Sequence, residues 1–478
     1  MTSFKSVHLA ILAALSSGFL SMAQPVATNF PAPQFIGDTN QMGRGIQRTM
    51  NLLSSSTPTH KNTVKVLFYG QSITEQKWWE SVAADLRRRF PSANLIIENR
   101  AIGGHSAQLL VKTAEADLYP FYPDLLIFYV YGSHIEYENI IRRVRERTTA
   151  EIVMQNDHVV KDENLAEETD PAKLTPKNWD PFMNHLFLPQ TAKKYGALLV
   201  DQREAWKHYL KDNNLHASAL LKDGVHLNDH GNYVMAELVK PWLRLNPSGD
   251  DRSWTNLVRT SEVGKDLRWE GDQLRFEFEG NRIDAIAANS TTGAKPLEVL
   301  IDGQPPSTLA GLRVFNRASR FPNSGWPCLL RVQSEAALEV EEWTLTLTEV
   351  ADDLKTVKFA LKGSVTGDDG EGVSTNRFVS KSKRIVLEPG DWNLAYCRAV
   401  FRRAVPAGFK ITWKVLPFFH DEFRPAMAND SAVENSVVLA QGLTNGRHTV
   451  QLRGEGKASL AALRVYRPPG LVPSRAEK

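Results

Sequence analysis

The chain has 478 residues, of which 42% are hydrophobic and 23% are charged, and its 57 basic and 54 acidic side chains leave a net charge of +3. This composition is typical of a globular protein with about two or three domains, and it excludes a disordered, collagen-like or multi-spanning membrane chain. Dense basic clusters occur only on predicted helices, at 87–89 and 142–147, as solvated helix faces, so no nucleic-acid partner is expected.

The first residues have the pattern of an export signal. Lys5 precedes a mostly apolar run at 7–20, and small residues stand at the −3 and −1 positions before Gln24. The run is shorter than the roughly 20 apolar residues that a bilayer requires, and no other stretch approaches that length. We expect residues 1–23 to be a cleaved signal peptide, the mature protein to be secreted or periplasmic, and no stable membrane insertion.

Residues 24–62 are rich in Pro, Ser, Thr and Asn, which is typical of a linker or a surface wrap. One short amphipathic helix is predicted inside this segment, because Met42, Ile46, Met50 and Leu53 share one helical face. The segment is therefore predicted to be mostly irregular.

Residues 63–245 alternate between short apolar runs and longer helical patterns. The runs lie at 64–69, 95–97, 125–131, 152–154 and 197–200, and helical stretches lie between them at 78–90, 106–118, 137–147 and 182–195. Apolar strands separated by helices indicate a parallel sheet that is covered on both faces. The predicted fold is a three-layer α/β/α sandwich.

A run of turn formers and charges at 246–251 marks the next boundary, and after it the hydrophobic period becomes two. Apolar residues alternate with polar ones at 274–278, 343–347, 409–415 and 450–452, and turns are predicted at Asp302-Gly303 and Asn445-Gly446. Residues 246–478 are therefore predicted to form an all-β sandwich. The two cysteines, Cys328 and Cys397, are either one disulfide or two buried free thiols.

Ser72 follows the first predicted strand in the segment Gly70-Gln71-Ser72 and precedes a helix. A side chain on such a turn lies at the carboxyl edge of the sheet, where open α/β folds keep their sites. The turn also offers backbone N–H groups to a developing oxyanion. Ser72 is therefore either a nucleophile or a helix cap.

Asp223 and His226 stand three residues apart on a predicted loop before the last helix of this unit. That spacing can place the carboxylate against imidazole Nδ1 and leave Nε2 free to accept a proton from a serine. A turn cap with a polar surface histidine is the alternative. Asp229 and His230 follow closely, but the preceding chain offers no matched pair of ligands, so we expect no metal and no cofactor.

Gly-x-Ser after the first strand and Asp-x-x-His before the last helix together resemble the SGNH hydrolase superfamily, the GDSL-type esterases. The segment 99–104 is similar to the second block of that family, whose glycine aligns with Gly104 and donates a backbone N–H to the oxyanion. The third block departs from the family, because His134 stands in place of its oxyanion asparagine. Gln71 replaces the usual aspartate of the first block, as in sialate O-acetylesterase-like members.

The resemblance implies that Ser72 attacks an ester carbonyl, that His226 accepts its proton, and that Asp223 orients the imidazole. The oxyanion would be held by Ser72 and Gly104 backbone N–H groups and by His134. Possible substrate contacts beside this site are Gln71, Trp78, Glu136, Asn156 and Asp157. Trp78 is also explained as a core residue of an amphipathic helix. The polar stretch at 161–180 is expected to be a loop that borders the site.

The stretches 299–303 and 442–450 look like parts of jelly-roll modules attached to carbohydrate esterases. The resemblance therefore implies a secreted carbohydrate O-acetylesterase whose partner is an acylated polysaccharide. Two alternatives remain. A glycoside-cleaving enzyme would need a second carboxylate beside Asp223, from Glu136 or Asp157. A glycan-binding protein would need no working serine.

Overall fold

The computed structural model describes residues 30–246, 255–288, 295–425 and 430–470. The predicted signal peptide lies outside the described residues, and so does most of the predicted boundary at 246–251. Within the described residues, no helix combines the length and the apolar character needed to cross a membrane.

A five-stranded parallel sheet forms the centre of the first unit. Its strands are β1 (Thr63–Gly70), β2 (Asn94–Asn99), β3 (Leu125–Tyr129), β4 (Glu151–Gln155) and β5 (Leu198–Val200). Their order is β2-β1-β3-β4-β5, and every pair is parallel. The strands β2 and β3 lie on opposite sides of β1, so the strand order reverses there. A crevice is therefore expected at the carboxyl end of β1.

Helices cover both faces of this sheet. They are α1 (Gln47–Ser54), α2 (Ser72–Glu75), α3 (Trp78–Arg89), α4 (Ala107–Asp117), α5 (His134–Arg147), α6 (Trp179–Phe182), α7 (Leu188–Tyr195), α8 (Gln202–Asp212) and α9 (Asp229–Val239). Val66 and Phe68 of β1 pack with α3, α8 and α9, whereas Leu67 and Tyr69 pack with α4, α5 and α7. Alternate side chains of one strand point to opposite faces. The predicted three-layer arrangement is confirmed.

The predicted amphipathic helix near the N-terminus is present but shorter than predicted, since only Met50 and Leu53 of its four apolar residues lie in α1. Met42, Ile46, Met50 and Leu53 are all buried, although α1 itself begins only at Gln47. The Glu151 carboxylate on β4 accepts hydrogen bonds from the backbone N–H groups of Arg48 and Thr49, at 2.8 and 2.7 Å. A carboxylate at a helix N-terminus satisfies free N–H groups there and complements the helix dipole. This contact attaches α1 to the sheet.

The rest of the described chain is antiparallel and rich in strands. Its strands are β6 (Val258–Glu262), β7 (Gln273–Ala287), β8 (Leu297–Ile301), β9 (Arg313–Phe315), β10 (Glu342–Val350), β11 (Val357–Gly363), β12 (Gly367–Val373), β13 (Phe378–Val379), β14 (Val386–Leu387), β15 (Lys410–Pro417), β16 (Glu422–Phe423), β17 (Ser436–Arg453) and β18 (Leu460–Tyr466), with one helix, α10 (Leu394–Phe401). They form a six-stranded sheet, β16-β8-β17-β7-β18-β6, a five-stranded sheet, β12-β11-β10-β15-β9, and the ribbon β13-β14. This region is called the β-rich region below.

The two large sheets of the β-rich region bury their side chains in different clusters. The six-stranded sheet has a cluster of its own, which includes Leu274, Ile283 and Val450. The five-stranded sheet, through Trp343 and Trp413, shares a cluster with helices α4 and α5 of the first unit. The β-rich region is thus packed into the α/β layers rather than tethered to them.

One predicted turn of the β-rich region is wrong. Asn445-Gly446 lies inside β17, where Gln441 pairs with Arg282 and Gly446 pairs with Gly280 of the same strand β7. The residues between them form a bulge, after which pairing with β7 resumes, so the chain does not reverse. The predicted turn at Asp302-Gly303 is confirmed, because Ile301 and Gln304 are bonded across it.

Polar contacts also cross the seam between the two parts. Arg317 forms an ion pair with Asp117 at 2.6 Å, and the Tyr122 hydroxyl donates to Asn281 at 2.8 Å. The two cysteines lie within the β-rich region as buried free thiols, and burial raises the pKa of both to about 12. Of the two alternatives for the cysteines, the structure has the free thiols.

Candidate active site

Ser72 lies at the crevice that the strand order creates. It is the first residue of α2, directly after β1, so its backbone N–H has no partner within the helix. A side chain at Gly70 would overlap the carbonyl oxygen of Tyr129 on β3. Glycine at this position therefore allows β1 and β3 to approach closely just before the serine.

Ser72, His226 and Asp223 are joined by hydrogen bonds. His226 Nε2 lies 2.9 Å from Ser72 Oγ, and His226 Nδ1 lies 2.9 Å from Asp223 Oδ2. The Asp223 carboxylate also accepts the backbone N–H groups of His226 and Val225, at 2.7 and 2.9 Å. These backbone donors stabilise the charged form and lower the pKa of Asp223 to about 2. An ionised Asp223 directs Nδ1–H toward itself and leaves Nε2 as the acceptor for the serine proton.

An open cleft of about 630 Å³ lies beside Ser72 and His226. Its other lining residues are Glu75, Gln76, Lys77, Lys222, Leu227, Asn228, Asp229 and Asn232. Gln76 also fixes the residue after His226, since its side-chain amide accepts from the Leu227 N–H at 3.0 Å and donates to the Leu227 carbonyl at 2.9 Å. His226 thus lies between Val225, whose N–H donates to Asp223, and Leu227, which bonds to Gln76.

The Gly103-Gly104 loop borders the other side of Ser72. The Glu75 carboxylate lies close to Gly103, and burial raises its pKa. Gly104 has a left-handed backbone with φ +73°, and a side chain there would overlap the Trp326 ring. The Tyr396 hydroxyl donates to the Gly104 carbonyl at 3.0 Å. Two aromatic residues of the β-rich region therefore hold this loop.

His134 contacts a group of aromatic side chains. Its ring centroid lies 5.7 Å from that of Trp179, 5.4 Å from Phe182 and 5.3 Å from Phe187. It is the first residue of α5, which Ser133 caps by accepting the Glu136 N–H at 3.3 Å. His134 is not among the residues that line the Ser72 cleft. Its predicted oxyanion contact stays a prediction.

Three of the predicted substrate contacts are buried behind the site. Trp78 is 1% exposed and its indole N–H donates to the Ile73 carbonyl, so it is the core residue of an amphipathic helix. Asn156 donates to the Asp201 carboxylate at 2.6 Å, and Asp157 is fully enclosed at the end of β4. The side chains of all three residues turn toward the protein interior, and their substrate contact stays a prediction.

The other two predicted contacts, Gln71 and Glu136, are partly exposed. The Gln71 carbonyl accepts the N–H groups of Thr74 and Glu75, and the Glu136 carboxylate accepts from Asn139 at 3.1 Å. Substrate contact by Gln71 and Glu136 stays a prediction.

The stretch at 161–180 is anchored by a buried acid. Glu167 accepts two hydrogen bonds from Arg203, at 2.6 and 2.5 Å, and lies 2.9 Å from Lys207 and 2.7 Å from His185. Among the described residues, Glu167, His185 and Glu204 form one grouping with metal-ligand spacing. Arg203 and Lys207 already pair with Glu167, and their positive charges would repel a metal ion at this position.

Glu75, Gln76, Trp326 and Tyr396 were not predicted from the sequence. Glu75 stands three residues after Ser72, one helical turn away, and that spacing was a usable signal. Tyr396 is 292 residues from Gly104, the glycine it contacts, and no local sequence pattern predicts a contact over that separation.

No protein-family model and no curated protein matches the chain. Among solved structures, a putative GDSL-like lipase from Parabacteroides merdae is 19% identical, with 39% of this chain and 98% of that chain covered and a TM-score of 0.31. An acetylxylan esterase from Geobacillus stearothermophilus is 19% identical, with 39% and 96% covered and a TM-score of 0.32. A two-domain esterase active on acetylated mannans is 13% identical, with 89% and 97% covered and a TM-score of 0.36. These matches are too remote to assign an activity, which has to be inferred from the site itself.

Proposed function

We propose that the protein is a serine esterase that hydrolyses O-acyl esters through Ser72, His226 and Asp223. The observation that carries the proposal is the hydrogen-bonded chain from Ser72 Oγ to His226 Nε2 and from His226 Nδ1 to Asp223. A nucleophile, a base and a group that orients the base are the three parts that acyl transfer requires. They meet at an open cleft at the carboxyl edge of a parallel sheet.

In the proposed reaction, His226 Nε2 takes the hydroxyl proton as Ser72 Oγ attacks the ester carbonyl. His226 then gives that proton to the departing alcohol, and an acyl-serine remains. Water attacks the acyl-serine, His226 accepts its proton, and the acid leaves as Ser72 Oγ regains a proton. Asp223 stays ionised throughout and stabilises the imidazolium that forms in each half.

Backbone N–H groups of Ser72 and Gly104 are the proposed oxyanion donors. The Ser72 N–H has no partner within α2, and Gly104 follows Gly103, which lies against the Ser72 side chain. Donors fixed in place before the reaction stabilise the developing charge without reorganisation. His134 is the proposed third donor.

Acetyl esters on a carbohydrate are the proposed substrate class, following the motifs of Ser72, Asp223 and His226. The export pattern of residues 1–23 further suggests that the protein acts outside the cytoplasm on a polysaccharide. Sequencing the N-terminus of the exported protein tests this location, and Gln24 is the expected first residue.

Acetate release from acetylated polysaccharides tests the activity. Acetylated xylan and acetylated mannan, named for two of the compared esterases, are the first substrates to try. Wild type should release acetate, Ser72→Ala should release none, and Ser81→Ala on the outer part of α3 should match wild type. Acetate release that persists in Ser72→Ala, or release of sugar instead of acetate, would contradict the proposal.

A further inference from the structure

The segment after β4 contains a buried histidine that is not part of the triad. His158 is 0% exposed, and its two ring nitrogens have different partners. Nε2 lies 2.8 Å from the Val225 carbonyl oxygen, and Nδ1 lies 2.9 Å from the Tyr129 hydroxyl. A carbonyl only accepts, so Nε2 carries the proton, and Nδ1 accepts from Tyr129 in the neutral ring.

The neutral ring fits its surroundings. Burial lowers the pKa of His158 to about 4, so a single proton remains on the ring at neutral pH. The Val225 carbonyl therefore selects the tautomer with the proton on Nε2, and the Tyr129 hydroxyl stabilises that tautomer by donating to Nδ1.

Val225 immediately precedes His226, and their shared peptide group is held at both ends. Its carbonyl accepts from His158, and its N–H donates to Asp223 at 2.7 Å. Rotation of this peptide group changes the backbone angle φ of His226 and swings the imidazole relative to Ser72. The two hydrogen bonds oppose that rotation.

The other restraints on the loop are the Lys222 N–H, which donates to the His226 carbonyl at 2.8 Å, and the Gln76 side chain, which bonds to Leu227. Residues 222–225 are all exposed, so no buried side chain of theirs fixes the backbone. His158, by contrast, lies in a rigid setting: Arg203 donates to its carbonyl at 3.1 Å, and the Trp206 ring lies 5.5 Å from its own. His158 is thus a buried side-chain donor that ties this exposed loop to the core.

We propose that His158 is a positioning residue of the proposed esterase site: its Nε2–H holds the Val225 carbonyl and thereby sets the orientation of His226 toward Ser72. Tyr129 supports this arrangement by donating a hydrogen bond to Nδ1 of His158. This inference rests on the proposed function of Ser72 and His226.

Two substitutions separate the hydrogen-bond donor from simple packing. His158→Gln keeps an N–H donor at about the reach of Nε2, whereas His158→Met has a similar volume and no donor. A small displacement of a catalytic group can cost about 10²-fold in rate. We expect His158→Met to lower kcat for p-nitrophenyl acetate about 10–100-fold with KM unchanged, and His158→Gln to stay within about 5-fold of wild type.

The labelling rate of Ser72 by a fluorophosphonate probe gives an independent readout, since it depends on the triad and not on a sugar. It should fall in parallel with kcat in His158→Met and recover in His158→Gln. Equal losses in the two variants, or an unchanged His158→Met, would overturn the inference. If wild type itself neither labels nor hydrolyses the ester, the proposed function fails instead.

Tyr129→Phe nearly conserves the side-chain volume, and it tests the same inference if His158→Met does not fold. It removes the hydroxyl that donates to Nδ1 of His158, and a loss of about 3–10-fold in kcat is expected, the size of one hydrogen bond. Tyr122→Phe is the matched control, because it removes a hydroxyl that is also buried but bonds to Asn281 at the seam. Equal kcat values in the two variants would overturn the role of Tyr129.

Discussion

The two loops that flank Ser72 are held by different parts of the molecule. The Asp223–His226 loop is anchored from inside the α/β layers, by His158 and Gln76. The Gly103-Gly104 loop is anchored from the β-rich region, by the Trp326 ring and the Tyr396 hydroxyl. The proton-transfer side of the proposed site therefore depends on the central sheet, whereas the oxyanion side depends on residues more than two hundred positions later in the chain.

This difference gives the β-rich region a role that does not require sugar binding. A region that shares a hydrophobic cluster with α4 and α5 and contacts Gly104 is part of the proposed catalytic unit. Substitutions on the two sides of Ser72 should consequently have separable effects.

The largest effect is expected on the proton-transfer side, from Asp223→Asn. An amide cannot stabilise the imidazolium and favours the wrong tautomer of His226, so kcat should fall about 10³–10⁴-fold. The Asp223 side chain is 50% exposed, so the Tm should change little. Ester hydrolysis and a thermal melt check both points, and a variant with near wild-type kcat would remove Asp223 from the proposed triad.

Gly104→Ala should displace the loop that carries the proposed oxyanion donor Gly104. The new methyl group would overlap the Trp326 ring, and the left-handed backbone would be strained, so the loop has to move. Loss of one oxyanion donor lowers kcat about 10²–10³-fold.

Gly303→Ala is the matched control for Gly104→Ala. It has a similar φ of +79° with no neighbour within 4 Å of the added carbon, so it introduces the strain without the overlap. Steady-state kinetics of both variants test the prediction, and equal kcat values would contradict a role for the Gly104 loop.

Tyr396→Phe should give a smaller loss on the same side. It removes the hydrogen bond to the Gly104 carbonyl but keeps the ring, and one such bond is about 1 kcal/mol, or about 5-fold in kcat. Since the two loops are held separately, the losses in Tyr396→Phe and Tyr129→Phe should add in a double variant. A strongly non-additive double variant would show that the two loops move together.

The smallest effect concerns stability and pH. Burial raises the pKa of Asp157 from its ordinary value of 3.8 to about 7, while Arg203 lowers it and Asp180 raises it further. The folded protein thus keeps a proton that the unfolded chain releases. Its contribution to stability is complete below about pH 4 and is lost as the pH rises through about 7.

Asp157→Asn removes this titration. The Tm of the variant relative to wild type should rise between pH 5 and pH 8 by about 2–4 °C, because about 2 pH units below a pKa of about 7 correspond to roughly 2–3 kcal/mol, and about 1 kcal/mol shifts the Tm of a chain of this length by about 1 °C. Asp170→Asn, on the exposed stretch before α6, is the control. A Tm difference that is independent of pH would contradict a buried, protonated Asp157.

Features that depend on residues close together in the sequence were predictable. The strands of the parallel sheet follow from short apolar runs, and Asp223 and His226 share one loop, so their pairing follows from a three-residue spacing. Asn445-Gly446 shows the limit of such local signals. Its residues favour a turn, but pairing with β7 on both sides keeps the chain within one strand as a bulge.

Contacts between distant segments were not predictable from one sequence. The direction in which Trp78, Asn156 and Asp157 point depends on which helices and loops cover them, and all three lie in the interior. The hydrogen bonds of His158 to Val225 and of Tyr396 to Gly104 join segments that only the tertiary fold brings together. These long-range contacts hold the loops that carry the proposed chemistry.

The most direct test of the central claim is mass spectrometry of the protein after reaction with a fluorophosphonate probe. The account predicts a single adduct on Ser72 that is lost in Ser72→Ala and forms far more slowly in His226→Ala. A folded wild-type protein that carries no adduct, or that carries it on another residue, would contradict the claim that Ser72 is the activated nucleophile.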